Sequence, residues 1–168
     1  NPRPMAEYSL TGAENVALAG DFAYVIGGGR YPRFFMSINL DGSGSYFLPD
    51  EPSQAHTSSI YNIVAAGDYV YLAGHNFVGV IYVGEPTEPI LVFSWEPIGH
   101  TGNPANVFID GDIGYFSAGW EGMYVFDLTD PGRPVEIGSL DTANWVIDVV
   151  VSGDIAYLTL GESGIATV

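Results

Sequence analysis

The 168-residue chain contains no cysteine and no lysine, and its cationic side chains are four arginines. Without cysteine there is no disulfide framework, no thiol nucleophile and no cysteine-ligated zinc. The compartment stays open on this count, because secreted proteins also dispense with cysteine. Twenty acidic residues against four arginines give a formal charge of -16, which repels phosphate backbones and anionic membrane surfaces. A nucleic-acid partner is excluded on that ground. Long apolar runs are missing too. None approaches the roughly 18 residues of a membrane-spanning helix, and the opening NPRPMAEYSL lacks the basic-then-apolar layout of a signal peptide. We expect no membrane insertion, and a chain that is soluble as made or already processed.

What is present is core material. Hydrophobic residues make up 47% of the chain and aromatics 14%, enough for one folded domain. An acidic composition rich in glycine and tyrosine points to a secreted or cell-surface protein, although salt adaptation gives a similar balance.

One phrase recurs four times: GDFAYV from Gly20, GDYVYL from Gly67, GDIGYF from Gly111 and GDIAYL from Gly153. The spacing falls in the range of roughly 40–50 residues typical of propeller blades. Before each phrase stands a short apolar run opened by a polar residue, Asn15, Asn62, Asn106 or Asp148. These runs read as buried first strands. Gly-Asp reads as a tight hairpin turn, followed by a second strand with tyrosine at the fifth position: Tyr24, Tyr71, Tyr115 and Tyr157. Third strands follow in FFMSINL, GVIYVG, GMYVFDL and GIATV. Fourth strands follow Pro89 and Pro134, and a proline opening a strand marks it as an edge.

The expected fold is therefore all-β: a β-propeller of four four-stranded blades, in one domain with repeats at 11–58, 59–102, 103–143 and 144–168 plus 1–10. The first ten residues match the outer-strand segment at 130–140, while the last repeat stops after a third strand. Met5, Ala6, Glu7, Tyr8, Ser9 and Leu10 are accordingly expected to complete the last blade, of their own chain or of a neighbour, so that no sheet edge stays open.

The stretch GMYVFDLTDPGRPVEIGSLDTANWVIDVVVSGDIAYLTLGESGIATV resembles LVIVD-repeat proteins, a β-propeller family of bacterial and archaeal surfaces. The resemblance extends over the whole chain, is strongest in 106–168 and is weakest at 30–58. It implies a propeller in an extracytoplasmic setting. It implies no catalytic residues, and none are carried over.

Loops entering the first strands and loops between second and third strands share one end of such a ring. That end would gather His56, His100, Trp120, Glu121 and Glu162. His56 and His100 occupy matching positions in successive repeats, each followed by threonine. Two histidines with nearby carboxylates suit a divalent metal or an acid–base pair, but without a third matched ligand they fall short of a metal site. The alternative is that they tie down loops through backbone bonds. The polar column Asn15, Asn62, Asn106 and Asp148 would ring the mouth of the channel. It either coordinates a cation or water, or bonds the backbone of neighbouring blades.

The opposite end collects the turn acids Asp21, Asp68, Asp112 and Asp154, a solvated surface with at most weak attraction for Ca²⁺. The stretch NLDGSGSYFLPD has EF-hand-like spacing but lacks the first aspartate, the closing glutamate and flanking helices, so a hairpin turn is expected. No G-x-S-x-G, Walker or dinucleotide motif is present. No cofactor is assigned. The expected function is a non-catalytic surface propeller acting in protein interaction or self-association, including filaments through exchange of residues 1–10. The alternative is a propeller that binds or cleaves glycans with its loops, using exposed tryptophans to stack on sugar rings.

Overall fold

The computed structural model describes residues 12–27, 34–48, 60–75, 77–95 and 106–168. Within them the chain forms four antiparallel sheets, one after another along the sequence. The first holds β1 (Ala13–Ala19), β2 (Phe22–Gly27), β3 (Phe34–Asn39) and β4 (Ser45–Phe47). The second holds β5 (Ile60–Ala66), β6 (Tyr69–Gly74), β7 (Phe77–Tyr82) and β8 (Ile90–Trp95). The third holds β9 (Asn106–Asp110), β10 (Ile113–Ser117), β11 (Met123–Asp127) and β12 (Val135–Leu140). The fourth holds β13 (Asp148–Ser152), β14 (Ile155–Thr159) and β15 (Ile165–Thr167), with a short 3-10 turn at Gly161–Ser163. Strands lie side by side in chain order in every sheet, and the whole is a β-propeller of four blades. Residues 5–10, expected to add the last strand of blade 4, lie outside the described residues.

The recurring phrase is the hairpin between first and second strands. Ala19 pairs with Phe22, Ala66 with Tyr69, Asp110 with Ile113 and Ser152 with Ile155, so each Gly-Asp is the whole of a two-residue turn. Gly20, Gly67, Gly111 and Gly153 take φ of 54°, 56°, 57° and 61°, a left-handed backbone that a Cβ disfavours. Crowding is not the reason, since a Cβ on any of the four meets no atom within 4 Å. The turn also anchors the third strand. The carbonyls of Asp21, Asp68 and Asp112 accept the N–H of Leu40, Val83 and Leu128 at 2.8, 2.8 and 2.7 Å. The proline signal holds as well: β8 starts directly after Pro89 and β12 directly after Pro134, and both are outermost strands, where a missing N–H forfeits no ladder bond.

Pairing register sorts the side chains of a blade onto two faces. On blade 1, Val16, Leu18, Ala23, Val25, Met36 and Ile38 share one face, and Ala17, Tyr24, Ile26 and Phe35 share the other. The tyrosine face packs on the next blade: Tyr24, Ile26 and Phe35 are buried with Ile63, Leu72 and Ile81 of blade 2. Blade 2 turns Tyr71, Val78 and Val80 toward Val107, Phe116 and Phe126 of blade 3. Blade 3 turns Phe108, Tyr115 and Val125 toward Val149, Ala156 and Leu158 of blade 4. The fifth-position tyrosine is thus the residue that each of the first three blades sends into its successor.

The phenols carry an electrostatic imprint of this arrangement. Burial raises Tyr24 above its ordinary range, and the charge of Asp68, in the turn of the next blade, adds to it. Burial likewise pushes Tyr71 up to about 12, with Tyr69 and then Asp112 contributing. The middle interface is the most aromatic. Trp95 meets Tyr124 and Phe126 edge-on at 5.0 and 5.2 Å, and Phe116 meets Phe126 at 5.4 Å.

Two places break the pattern. Val16 and Leu18, expected within a buried first strand, are 55% and 65% exposed, although Ile63, Val107 and Val149, the counterparts of Val16, are buried. Tyr157 is 39% exposed where Tyr24 and Tyr71 are at most 3%. On blade 1 the exposure is local, since Ala23, Val25, Met36 and Ile38 on the same face are buried, whereas on blade 4 no further sheet packs on the Tyr157 side among the described residues.

Gly111→Ala is expected to lower stability by about 1–2 kcal/mol, the left-handed backbone penalty. Gly138→Ala, where a Cβ finds open space and φ is not left-handed, should stay within about 0.5 kcal/mol. Chemical denaturation of the two variants checks both. A second expectation concerns alkali. With its folded pKa raised to about 12 from an ordinary 10.0, Tyr71 stays protonated in the folded state after the unfolded chain has begun to ionise. Its contribution is complete below roughly pH 10 and is lost as pH rises toward about 12. Denaturation midpoints should fall across that window, and Tyr71→Phe should shallow the fall.

Candidate functional site

First-strand starts and second-to-third-strand loops meet at one end of the propeller, because Asn106 pairs with Ser117 and Asp148 with Thr159. In blades 1 and 2 a bulge sets the asparagine in place. The ladder skips Glu14 and Tyr61, so that Asn15 opposes Ile26 and Asn62 opposes Ala73.

Three members of the column share one local bond. Oδ1 of Asn15, Asn106 and Asp148 accepts the N–H of the next residue, Val16, Val107 or Val149, at 2.8, 2.8 and 2.7 Å. The asparagines then reach across to other blades. Asn15 Nδ2 donates to the Tyr61 carbonyl of blade 2 at 3.2 Å, and Asn106 Nδ2 donates to Asp148 Oδ1 of blade 4. Asn62 differs: its Oδ1 is buried and accepts no hydrogen bond among the described residues. Asn15, Asn106 and Asp148 therefore act as clamps between blades, with Oδ1 of each already engaged.

Ser117 adds a second clamp that the sequence did not signal. Its hydroxyl accepts the Asn106 N–H at 2.9 Å and donates to the Ile147 carbonyl of blade 4 at 2.9 Å, fully buried. Ile26, Ala73 and Thr159 stand at the same place in the other repeats, so no recurring residue type marks it.

The end loops of blades 3 and 4 form one tied cluster. Trp120 is 59% exposed and stands edge-on to half-buried Trp145, with ring centres 5.7 Å apart. Gly119 and Val146 exchange backbone bonds at 2.9 and 3.2 Å, bringing the two tryptophan loops together. A Cβ on Gly119 would sit 3.2 Å from the Trp145 ring, and one on Gly122 would sit 1.9 Å from the Leu140 carbonyl oxygen. Glu121 Oε2 accepts from the Tyr124 hydroxyl. The Tyr124 phenol is held well above its ordinary range, first by burial, then by that bond and the charges of Glu121 and Glu136. Glu162 is exposed on the 3-10 turn, whose Ser163 hydroxyl donates to Asn144 Oδ1 at 2.8 Å. Thr142 Oγ1 donates to the Asn144 carbonyl at 2.6 Å, so a single asparagine ties turn and loop together.

His56 and His100 lie outside the described residues. Among the described residues, no three histidines or acids gather closely enough to hold a metal ion. At the opposite end the acids shape turns. Asp41 Oδ1 accepts the Ser43 N–H at 2.7 Å, and Asp127 Oδ1 accepts from the Thr129 N–H at 2.8 Å and its hydroxyl at 2.5 Å. Interaction with the Ser43 hydroxyl and then its N–H holds the Asp41 carboxyl below its ordinary range, and the Thr129 hydroxyl and then its N–H do the same for Asp127. The EF-hand-like stretch is a hairpin turn between β3 and β4, with Asn39 and Gly44 bonded across it at 2.9 Å.

The chain as a whole is similar to proteins of one architecture. The LVIVD repeat family model matches residues 12–29, 59–96 and 101–142, more than half the chain. It leaves out the divergent 30–58 stretch and also 143–168, although β13 to β15 repeat the blade pattern there. Among solved structures, the computationally designed Ika4 protein is similar over 98% of each chain, at TM-score 0.71 and 14% identity. The computationally designed Ika8 protein is similar over 92% of this chain and 45% of its own, at TM-score 0.70 and 11% identity. The N-terminal domain of Nup159 is similar over 93% of this chain and 40% of its own, at TM-score 0.55 and 10% identity. At such identities the likeness is one of fold. No curated protein matches the sequence.

Ser117→Ala would remove the buried hydroxyl that joins the Asn106 N–H to the Ile147 carbonyl, and is expected to cost about 1–3 kcal/mol. Glu162→Ala on the exposed turn should change stability by no more than about 0.5 kcal/mol. Urea denaturation of both variants provides the comparison.

Proposed function

Since the chain belongs to the LVIVD-repeat family, we propose that it works as a non-catalytic β-propeller module for protein interaction and assembly, outside the cytoplasm. The observation that carries this reading is how the polar groups at the loop end are used. Asn15, Asn106, Asp148 and Ser117 are spent on joining blades, and Glu121 is bonded to Tyr124. A general acid or base needs a proton-exchanging group facing a substrate, and these groups face the protein. Apolar side chains, by contrast, stand open on both end blades, which is the character of an association surface. The lysine-free acidic composition supports a secreted or cell-surface setting. No cofactor is assigned, and the acidic end would attract Ca²⁺ at most weakly. Strand exchange through residues 1–10 is one route by which such a module would polymerise into filaments.

A second reading has its own observation. Trp120, exposed beside Trp145, offers a flat apolar surface of the kind on which sugar rings stack.

A glycan array run beside a glycoside-hydrolysis screen tests the choice. The expected result is no turnover and no array signal. Binding abolished by Trp120→Ala would favour the glycan reading, and turnover abolished by Glu121→Gln would overturn the non-catalytic one.

A further inference from the structure

Three loops at the loop end of blades 3 and 4 are held as one unit. The backbone bonds between Gly119 and Val146 join residues 118–122 to residues 141–147, and the Ser163 hydroxyl, on the 3-10 turn, joins the same stretch at Asn144. Trp120 and Trp145 meet across the first junction with their ring planes at 87°, so the pair forms a corner rather than a stack. Gly119 makes the corner possible, since it takes φ of 60° and a Cβ there would crowd the Trp145 ring. An exposed tryptophan leaves a large apolar surface in water, and here the surrounding bonds fix it in place without covering it.

The charge around the corner is of one sign. Glu121 follows Trp120 directly, exposed Asp141 opens the loop that carries Trp145, and exposed Glu162 stands on the turn bonded to Asn144, the residue before Trp145. The three loops contain no arginine, lysine or histidine. Among the described residues Arg133 is the single arginine, and it lies between β11 and β12 at the opposite end. An aromatic face attracts a cation through the ring quadrupole, and neighbouring carboxylates add to that attraction. A neutral sugar would use the aromatic face but gain nothing from the sign of the charge. At a site this open the guanidinium is the better-suited cation. It is flat and more weakly hydrated than an ammonium, and it stacks on an indole while its edge N–H groups point outward to carboxylates.

We propose that the Trp120–Trp145 corner is a recognition site for an arginine side chain of a basic protein partner, the guanidinium stacked on Trp120 with its edge directed at the Asp141 and Glu162 carboxylates. The proposal rests on the reading of the chain as an interaction module and names the chemistry of what it binds. The net charge of -16 draws a basic partner in from a distance, and the corner adds the preference for arginine over lysine that charge alone lacks. Tryptophan and arginine are also the residue types that carry much of the binding energy at protein interfaces. With four arginines and no lysine, the chain is a poor source of such side chains for itself, so the partner is a different protein of basic composition.

Titration with the blocked peptide acetyl-Gly-Arg-Gly-amide, followed by the indole N–H signals of Trp120 and Trp145, tests the proposal. Both signals are expected to move, and less so in added salt. The lysine peptide should bind about fivefold more weakly, and the citrulline peptide, which keeps the shape and loses the charge, should cause no shift. Trp120→Ala, read at Trp145, and Glu162→Gln should each weaken binding about fivefold with circular dichroism unchanged. Glu88→Gln, which removes the same charge from the exposed loop between β7 and β8, should leave binding as it was. Equal binding of the arginine and lysine peptides, unaltered by Trp120→Ala, would mean attraction by net charge alone and overturns the proposal, as does the absence of any shift. Movement of the two signals by sugars and not by the peptide would give the corner to glycans instead. These failures leave the module reading standing, whereas turnover in the glycoside screen would sink that reading and leave the peptide shifts to decide the corner.

Discussion

A sheet whose two faces are both apolar has to be covered twice, and this requirement governs the whole chain. Blades 2 and 3 satisfy it by lying between neighbours, which is why their central residues, such as Val70, Leu72 and Phe116, are almost fully enclosed. Three of the four apolar clusters lie between consecutive blades, and the fourth, Ala23, Val25, Met36 and Ile38, belongs to blade 1. Blade 4 packs on one neighbour among the described residues, so the exposure of Val150 and Tyr157 follows from the same rule that buries the middle.

Hydrogen bonds then fix how neighbouring blades meet. Apolar packing alone is not directional, and two sheets have many ways of sliding past each other. Asn106 to Asp148 and Ser117 to Ile147 set the position of blade 4 on blade 3, and Asn15 to the Tyr61 carbonyl does so between blades 1 and 2. At Ser117, whose hydroxyl is fully buried, a displacement leaves a donor or acceptor unpaired, and the cost falls on every wrong alignment. The column at the inner end is part of the mortar between blades.

The architecture was legible in the sequence because its determinants are local and repeated. A left-handed glycine, a proline at an edge and a tyrosine four places beyond the glycine are each set by a few neighbouring residues. The site was legible only in part. The column could be located from its spacing, but whether its amides faced solvent or a neighbouring blade depends on residues tens of positions away. Ser117 has no repeated counterpart and so left no trace, and the Asn144 link between two loops depends on a single turn. The exposure of Val16 was misjudged for a related reason: an apolar residue in an inner strand reads as buried whether or not a neighbour arrives to cover it.

The aromatic contacts around Trp95 have a kinetic meaning. They join consecutive blades, so the chain need not close a long loop before it gains contact energy. In a nearly one-dimensional array of this kind, order can begin at the strongest junction and spread outward in both directions. Here that junction lies between the second and third blades. Blade 4, which among the described residues packs on blade 3 alone, is then among the last parts to dock and the first to fray.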